Sequence, residues 1–146
     1  MIGTKIKISD RIKNLTYEEI EDEKLGAIYS KDKTTFRVFS PTSDTLDLLI
    51  SDDYMKVRKD KYQMLRNEIG IYEITLEGDY SGFYYNYLVD NKYEVTDPYS
   101  FTASINSLSS VVVDMKETDP FGFRDEKLPQ NLEKDAIIYE MSVKNY

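Results

Sequence analysis

From Leu25 onward, apolar and polar residues alternate with a period of two, the spacing of a half-buried β-strand. Residues 34–40 place Phe36 and Val38 on one face with Arg37 opposite, and Pro41, which has no N–H to give to a ladder, ends the run. Residues 45–51 group Leu46, Leu48 and Ile50 against Asp47 and Leu49. Further strands are expected over residues 62–65 and 71–76, with a turn at 67–70. In the second of these, Tyr72, Ile74 and Leu76 alternate with Glu73, Thr75 and Glu77, which leaves one face wet. Gly78 and Gly82 frame a loop before an aromatic strand over residues 83–89. Asp90-Asn91 tolerates positive φ and reads as a two-residue hairpin turn. Tyr93 and Val95 follow on a return strand that Asp97-Pro98 stops, and a last strand is expected over residues 110–115. About seven short strands, with turn signals roughly every 8–12 residues, predict an all-β antiparallel sandwich.

The flanks read differently. Residues 1–24 form a polar leader in which Thr16-Tyr17-Glu18-Glu19 has capping-box spacing, so a helical turn or two is expected there. Its apolar positions (Ile12, Leu15, Ile20) are too sparse for an amphipathic face, which predicts loose docking. The sandwich is expected over residues 25–115. Residues 116–134 are polar, carry Pro120, Gly122 and Pro129, and read as a linker. Residues 136–143 are nearly continuously apolar, a pattern that suits a parallel strand covered on both faces. Such a strand has no partner in the chain, so residues 135–146 are expected to be the stub of a truncated second domain.

Composition narrows the chemistry. The net charge of −8 repels phosphate backbones and no basic run offsets it, so nucleic acid is not an expected partner. Zero Cys removes disulfides and thiol chemistry, and zero His removes the commonest general base and metal ligand. No metal or cofactor is expected. No apolar run approaches the roughly 20 residues of a membrane span, and no signal peptide is evident. Membrane partners are therefore not expected, and a cytoplasmic location is the default.

Several stretches resemble a known family. Leu25-Gly26-Ala27-Ile28-Tyr29-Ser30 followed by Thr34-Thr35-Phe36-Arg37-Val38-Phe39-Ser40-Pro41-Thr42 is similar to the opening of the family 48 carbohydrate-binding module of type I pullulanases, with Phe39 and Ser40 where that family usually has Trp and Ala. Gly82-Phe83-Tyr84-Tyr85, Val95-Thr96-Asp97-Pro98-Tyr99, Val111-Val112-Val113-Asp114-Met115 and Thr118-Asp119-Pro120-Phe121-Gly122-Phe123 follow in the family's order. Asp135-Ala136-Ile137-Ile138-Tyr139-Glu140 resembles the first strand of the (β/α)8 barrel of family 13 glycoside hydrolases. The resemblance implies an immunoglobulin-like (early-set) sandwich leading into that barrel. It also implies a parent enzyme that hydrolyses α-1,6 linkages in branched α-glucan (pullulan, glycogen, starch dextrins). The family's catalytic carboxylates lie beyond the first barrel strand, and Glu140 is not one of them. No catalytic residue is assigned.

Among candidate site residues, Asp52-Asp53 and Glu18-Glu19 are sequence neighbours and cannot face each other across a glycosidic bond at about 5 to 9.5 Å, so they read as solvated surface charge. Glycogen-binding relatives use two Trp and a Lys. The resemblance carries these onto Tyr54, Asn86 and Tyr93, where packing or surface roles compete with sugar contact. The Tyr84/Tyr85/Tyr87 cluster reads as core and cross-strand packing. Phe121 and Phe123 read as pegs between the sandwich and the missing barrel. The alternatives are a stand-alone glycogen- or starch-binding module and a protein-docking scaffold without sugar contact.

Overall fold

Two antiparallel sheets account for the alternation seen along the chain. The computed structural model describes residues 18–123. A helical turn, α1 (Glu18–Glu21), precedes β1 (Gly26–Tyr29), β2 (Lys33–Phe39), β3 (Leu46–Ser51), β4 (Asp60–Gln63), β5 (Leu65–Arg66), β6 (Ile71–Glu77), β7 (Tyr84–Val89), β8 (Tyr93–Val95) and β9 (Ser110–Val111). One sheet has the order β1-β2-β6-β5. The other has the order β4-β3-β7-β8, with β9 also on β7. Every pairing between named strands is antiparallel. This is the antiparallel β-sandwich that the pattern predicted, with the immunoglobulin-like architecture that the resemblance implied.

Directly opposed residues share a face, so register decides what is buried. Phe36 lies opposite Ile74, and Val38 opposite Tyr72. On the other sheet Leu48 lies opposite Tyr87, and Ile50 opposite Tyr85. These inward faces, joined by Leu46, Met64, Leu76 and Val112, form one core. Phe36 and Tyr85 meet edge to face across it, ring centroids 5.0 Å apart. Full burial of such rings is worth roughly 1.5–3 kcal/mol each, which makes this layer the main stabilising term.

Three elements depart from the pattern. The strand expected over residues 62–65 is split between the sheets: β4 pairs with β3, β5 pairs with β6, and Met64 crosses between them. The Met64 N–H donates to the Leu46 carbonyl at 3.0 Å, and the side chain is buried. The strand expected over residues 110–115 is ladder-paired only at Ser110–Val111. Val112 still exchanges bonds with Phe83 O and Gly82 N, but Gly82, at φ 80°, turns the partner chain away, so nothing remains for later residues to pair with. Finally, Asp90 and Asn91 make the positive-φ turn (51° and 54°), closed by Lys92 N–H to Val89 O. The ladder resumes with Tyr93 opposite Val89, however, so Lys92 is an extra residue on the return strand.

The chain divides into two compact units, Met1–Asp114 and Met115–Tyr146. Within the described part of the second, Thr118 Oγ1 donates to Met115 O, and Phe123 N–H donates to Pro120 O. The segment 136–143, expected as a barrel strand, lies outside the described residues, as does most of the leader.

Candidate carbohydrate-contact surface

The three positions singled out from the sequence lie in or beside the five-stranded sheet, and the structure treats each differently. Tyr54 sits in the loop that follows β3. That loop is held by Ser51 Oγ donating to Asp53 O (2.7 Å) and Met55 N–H donating to Asp53 Oδ1 (2.9 Å), with Lys56 paired to Asp52 at 2.8 Å. The Tyr54 ring, partly buried, meets Tyr84 at a centroid distance of 5.6 Å and an angle of 53°.

Asn86 lies on the outward face, opposite Leu49, and is only 3% exposed. Its amide nitrogen is spent on Glu94 Oε1 (2.6 Å) and Leu108 O (3.0 Å), while its Oδ1 is buried with no hydrogen-bond partner. Lys59 Nζ reaches the same Glu94 oxygen at 2.5 Å. Burial pushes the Glu94 carboxyl up. The hydrogen bonds from Lys59 and Asn86, with the Lys59 charge, outweigh it and hold the carboxyl below its ordinary value.

Tyr93 stands apart from both. In a plain two-residue hairpin it would lie opposite Leu88, on the outward face that Asn86 occupies. The extra Lys92 puts it opposite Val89 instead, in register with the inward row. It is an edge residue, 57% exposed, with Lys92 Nζ 4.7 Å over its ring. The structure therefore brings Tyr54 to Tyr84, places Asn86 beneath an ion pair on the same face, and sets Tyr93 on the opposite register row. Tyr84 belongs to that outward face as well, opposite Ser51 and Val111, whereas Tyr85 and Tyr87 are core. Reading the three tyrosines as one packing cluster missed this split, although 84 differs in parity from 85 and 87.

A second polar cluster lies inside the sandwich. Asp97, 4% exposed, accepts from Tyr85 Oη (2.7 Å) and Tyr87 Oη (3.2 Å) on Oδ2, and from Tyr99 N–H (2.9 Å) on Oδ1. Its own N–H donates to Ser110 Oγ at 2.8 Å. Burial pushes the carboxyl above its ordinary value against the pull of these donors, and pushes both phenols up. With every oxygen engaged and no opening to solvent, this arrangement ties β7, the corner after β8 and β9 together. It offers no reacting atom. Among the described residues no cluster of three or more acidic side chains is placed to hold a metal ion. Phe121 and Phe123 are exposed.

Residues 24–100 match the carbohydrate-binding module 48 family (isoamylase N-terminal domain). Over 131 residues the chain is 30% identical to the pullulanase of Bacillus subtilis (strain 168), covering 86% of this chain and 17% of that protein. The pullulanase from Bacillus acidopullulyticus superposes with a TM-score of 0.69 at 31% identity, over 74% of this chain and 14% of that one. The pullulanase from Paenibacillus barengoltzii in complex with maltohexaose and α-cyclodextrin superposes with a TM-score of 0.73 at 28% identity, over 82% and 19%. The chain spans less than a fifth of the length of these relatives.

Proposed function

The chain belongs to the carbohydrate-binding module 48 family (isoamylase N-terminal domain), and on that premise we propose that it is the non-catalytic N-terminal sandwich of a pullulanase-type debranching enzyme. In this reading it flanks a (β/α)8 barrel and helps position branched α-glucan such as pullulan, glycogen or starch dextrins. The carrying observation is the match over residues 24–100, joined to similarity with pullulanases of which this chain spans only 14–19%. Hydrolysis of a glycosidic bond needs two carboxyls facing each other across it. The buried carboxylates here serve structure instead: Asp47 is paired with Lys61 at 2.7 Å, and Asp97 holds two tyrosines. The relative from Paenibacillus barengoltzii is known with maltohexaose and α-cyclodextrin, and a variant of it with maltotetraose, which supports α-glucan as the ligand class. Residues 116–134 then act as linker, Phe121 and Phe123 as pegs against the barrel, and residues 136–143 as its first strand.

The reading frame encoding this chain is expected to run on past Tyr146 into a barrel of about 250 residues. Its full product should release reducing ends from pullulan, while residues 1–146 alone release none. A frame that stops at Tyr146, or an intact product inert on pullulan, overturns this reading.

A further inference from the structure

The geometry points to Tyr84 as the second aromatic of a two-ring sugar platform with Tyr54, in place of Tyr93. This rests on the α-glucan reading above and adds to it a residue that neither the family pattern nor sequence spacing selects. Tyr54 comes from the loop after β3 and Tyr84 from the start of β7, two different elements that converge on the outward face because Ser51 and Tyr84 are directly opposed. Each ring is partly buried, which fixes its position, and each keeps an exposed remainder.

No hydrogen bond engages either Tyr54 Oη or Tyr84 Oη, whereas Tyr72, Tyr85 and Tyr87 each donate their hydroxyl to a protein acceptor. The two hydroxyls at this surface carry no intramolecular bond, so a ligand reaching them meets no competing protein acceptor. The loop that carries Tyr54 also holds Lys56, Asp52 and Asp53, polar groups fixed by their own bonds within it.

Pyranose rings present flat C–H faces to aromatics, and the two tilted rings, 5.6 Å apart and inclined at 53°, form one continuous apolar patch on the outward face for them to meet. Tyr93 is not part of this patch: it lies on the other register row, and the Lys92 ammonium stands over its ring. Asn86 cannot substitute for a missing donor, because both N–H bonds of its amide are already given to Glu94 and Leu108.

The test is titration of the intact chain with maltohexaose, alongside affinity electrophoresis in glycogen, for wild type, Y54A, Y84A, Y84F and Y93A, each first checked by far-UV circular dichroism. Y54A and Y84A are expected to weaken binding at least about tenfold, and Y93A less than about twofold, as for loss of one stacked ring. Y84F keeps the ring and removes the hydroxyl. It should weaken binding by about two- to fivefold, and it provides a folded readout if Y84A unfolds. Binding lost in Y93A but kept in Y84A and Y84F overturns the platform and leaves the α-glucan reading standing. A wild-type chain that neither binds maltohexaose nor is retarded by glycogen removes the platform too, while the debranching-enzyme parentage is decided separately by the reading frame.

Discussion

Asp97 carries more of the fold than any other polar side chain described, because one buried carboxylate takes donors from β7 twice and from the corner after β8. Removing it strands two phenol hydroxyls and an amide N–H in the interior. Asp97→Ala is expected to cost about 3–5 kcal/mol, read as a lower urea midpoint, since broken buried networks leave unpaired groups behind. A loss below about 1 kcal/mol would mean the cluster is wetter than it looks. The pH dependence has a definite sign. Burial raises the Asp97 pKa in the folded state, so the folded state holds the proton more tightly than the unfolded chain does. The stability this group contributes is fully present below the unfolded pKa and is lost as pH rises through the folded one. Asp52, Asp79 and Glu94 titrate with lowered pKa values and the opposite sign, so total stability mixes both. The difference between wild type and Asp97→Asn isolates this contribution: it should shift against wild type as pH climbs above the ordinary carboxylate range. A difference independent of pH would remove the claim.

At the scale of elements, turns decide what the strand pattern leaves open. Gly70 closes the turn before β6 at φ 93°, and a Cβ built there would stand 2.8 Å from Pro41 Cα. Gly82 has a similar φ of 80° but nothing within 4 Å of its Cβ position. Gly70→Ala should therefore cost about 2–4 kcal/mol, from left-handed strain and a backbone clash together. Gly82→Ala should cost only the strain, about 1 kcal/mol. Equal losses in thermal unfolding would show that the Pro41 contact relaxes freely. The run over residues 62–65 has the right residue types, but only the distance between the sheets decides that Met64 must cross. Likewise Asp90-Asn91 announced a turn, while the extra Lys92, which reverses the facing of Tyr93, is set by pairing against β7.

For the molecule as a whole, a net charge of −8 and the uncharged α-glucan proposed as its ligand make a simple contrast. Retardation by glycogen should change less than about twofold between roughly 50 and 500 mM salt, because stacking and hydroxyl bonds release no counterions. A steep salt slope would point to a charged partner instead. Local sequence sufficed for the sandwich and most of its core: the period-two placement of Phe36, Val38, Leu46, Leu48, Ile50 and Tyr72 puts each on the face that is buried. The family wording along residues 24–100 also belongs to the sequence. Which surface groups meet depends instead on how the strands pair in space. Tyr54 and Tyr84 lie 30 positions apart and touch because β3 and β7 are neighbours, while the aim of Tyr93 was fixed by one added residue in a hairpin. Hydrophobic periodicity is a local property that survives small register errors in its overall pattern. A contact surface has no such tolerance, since shifting one strand by one residue turns every side chain on it to the other face.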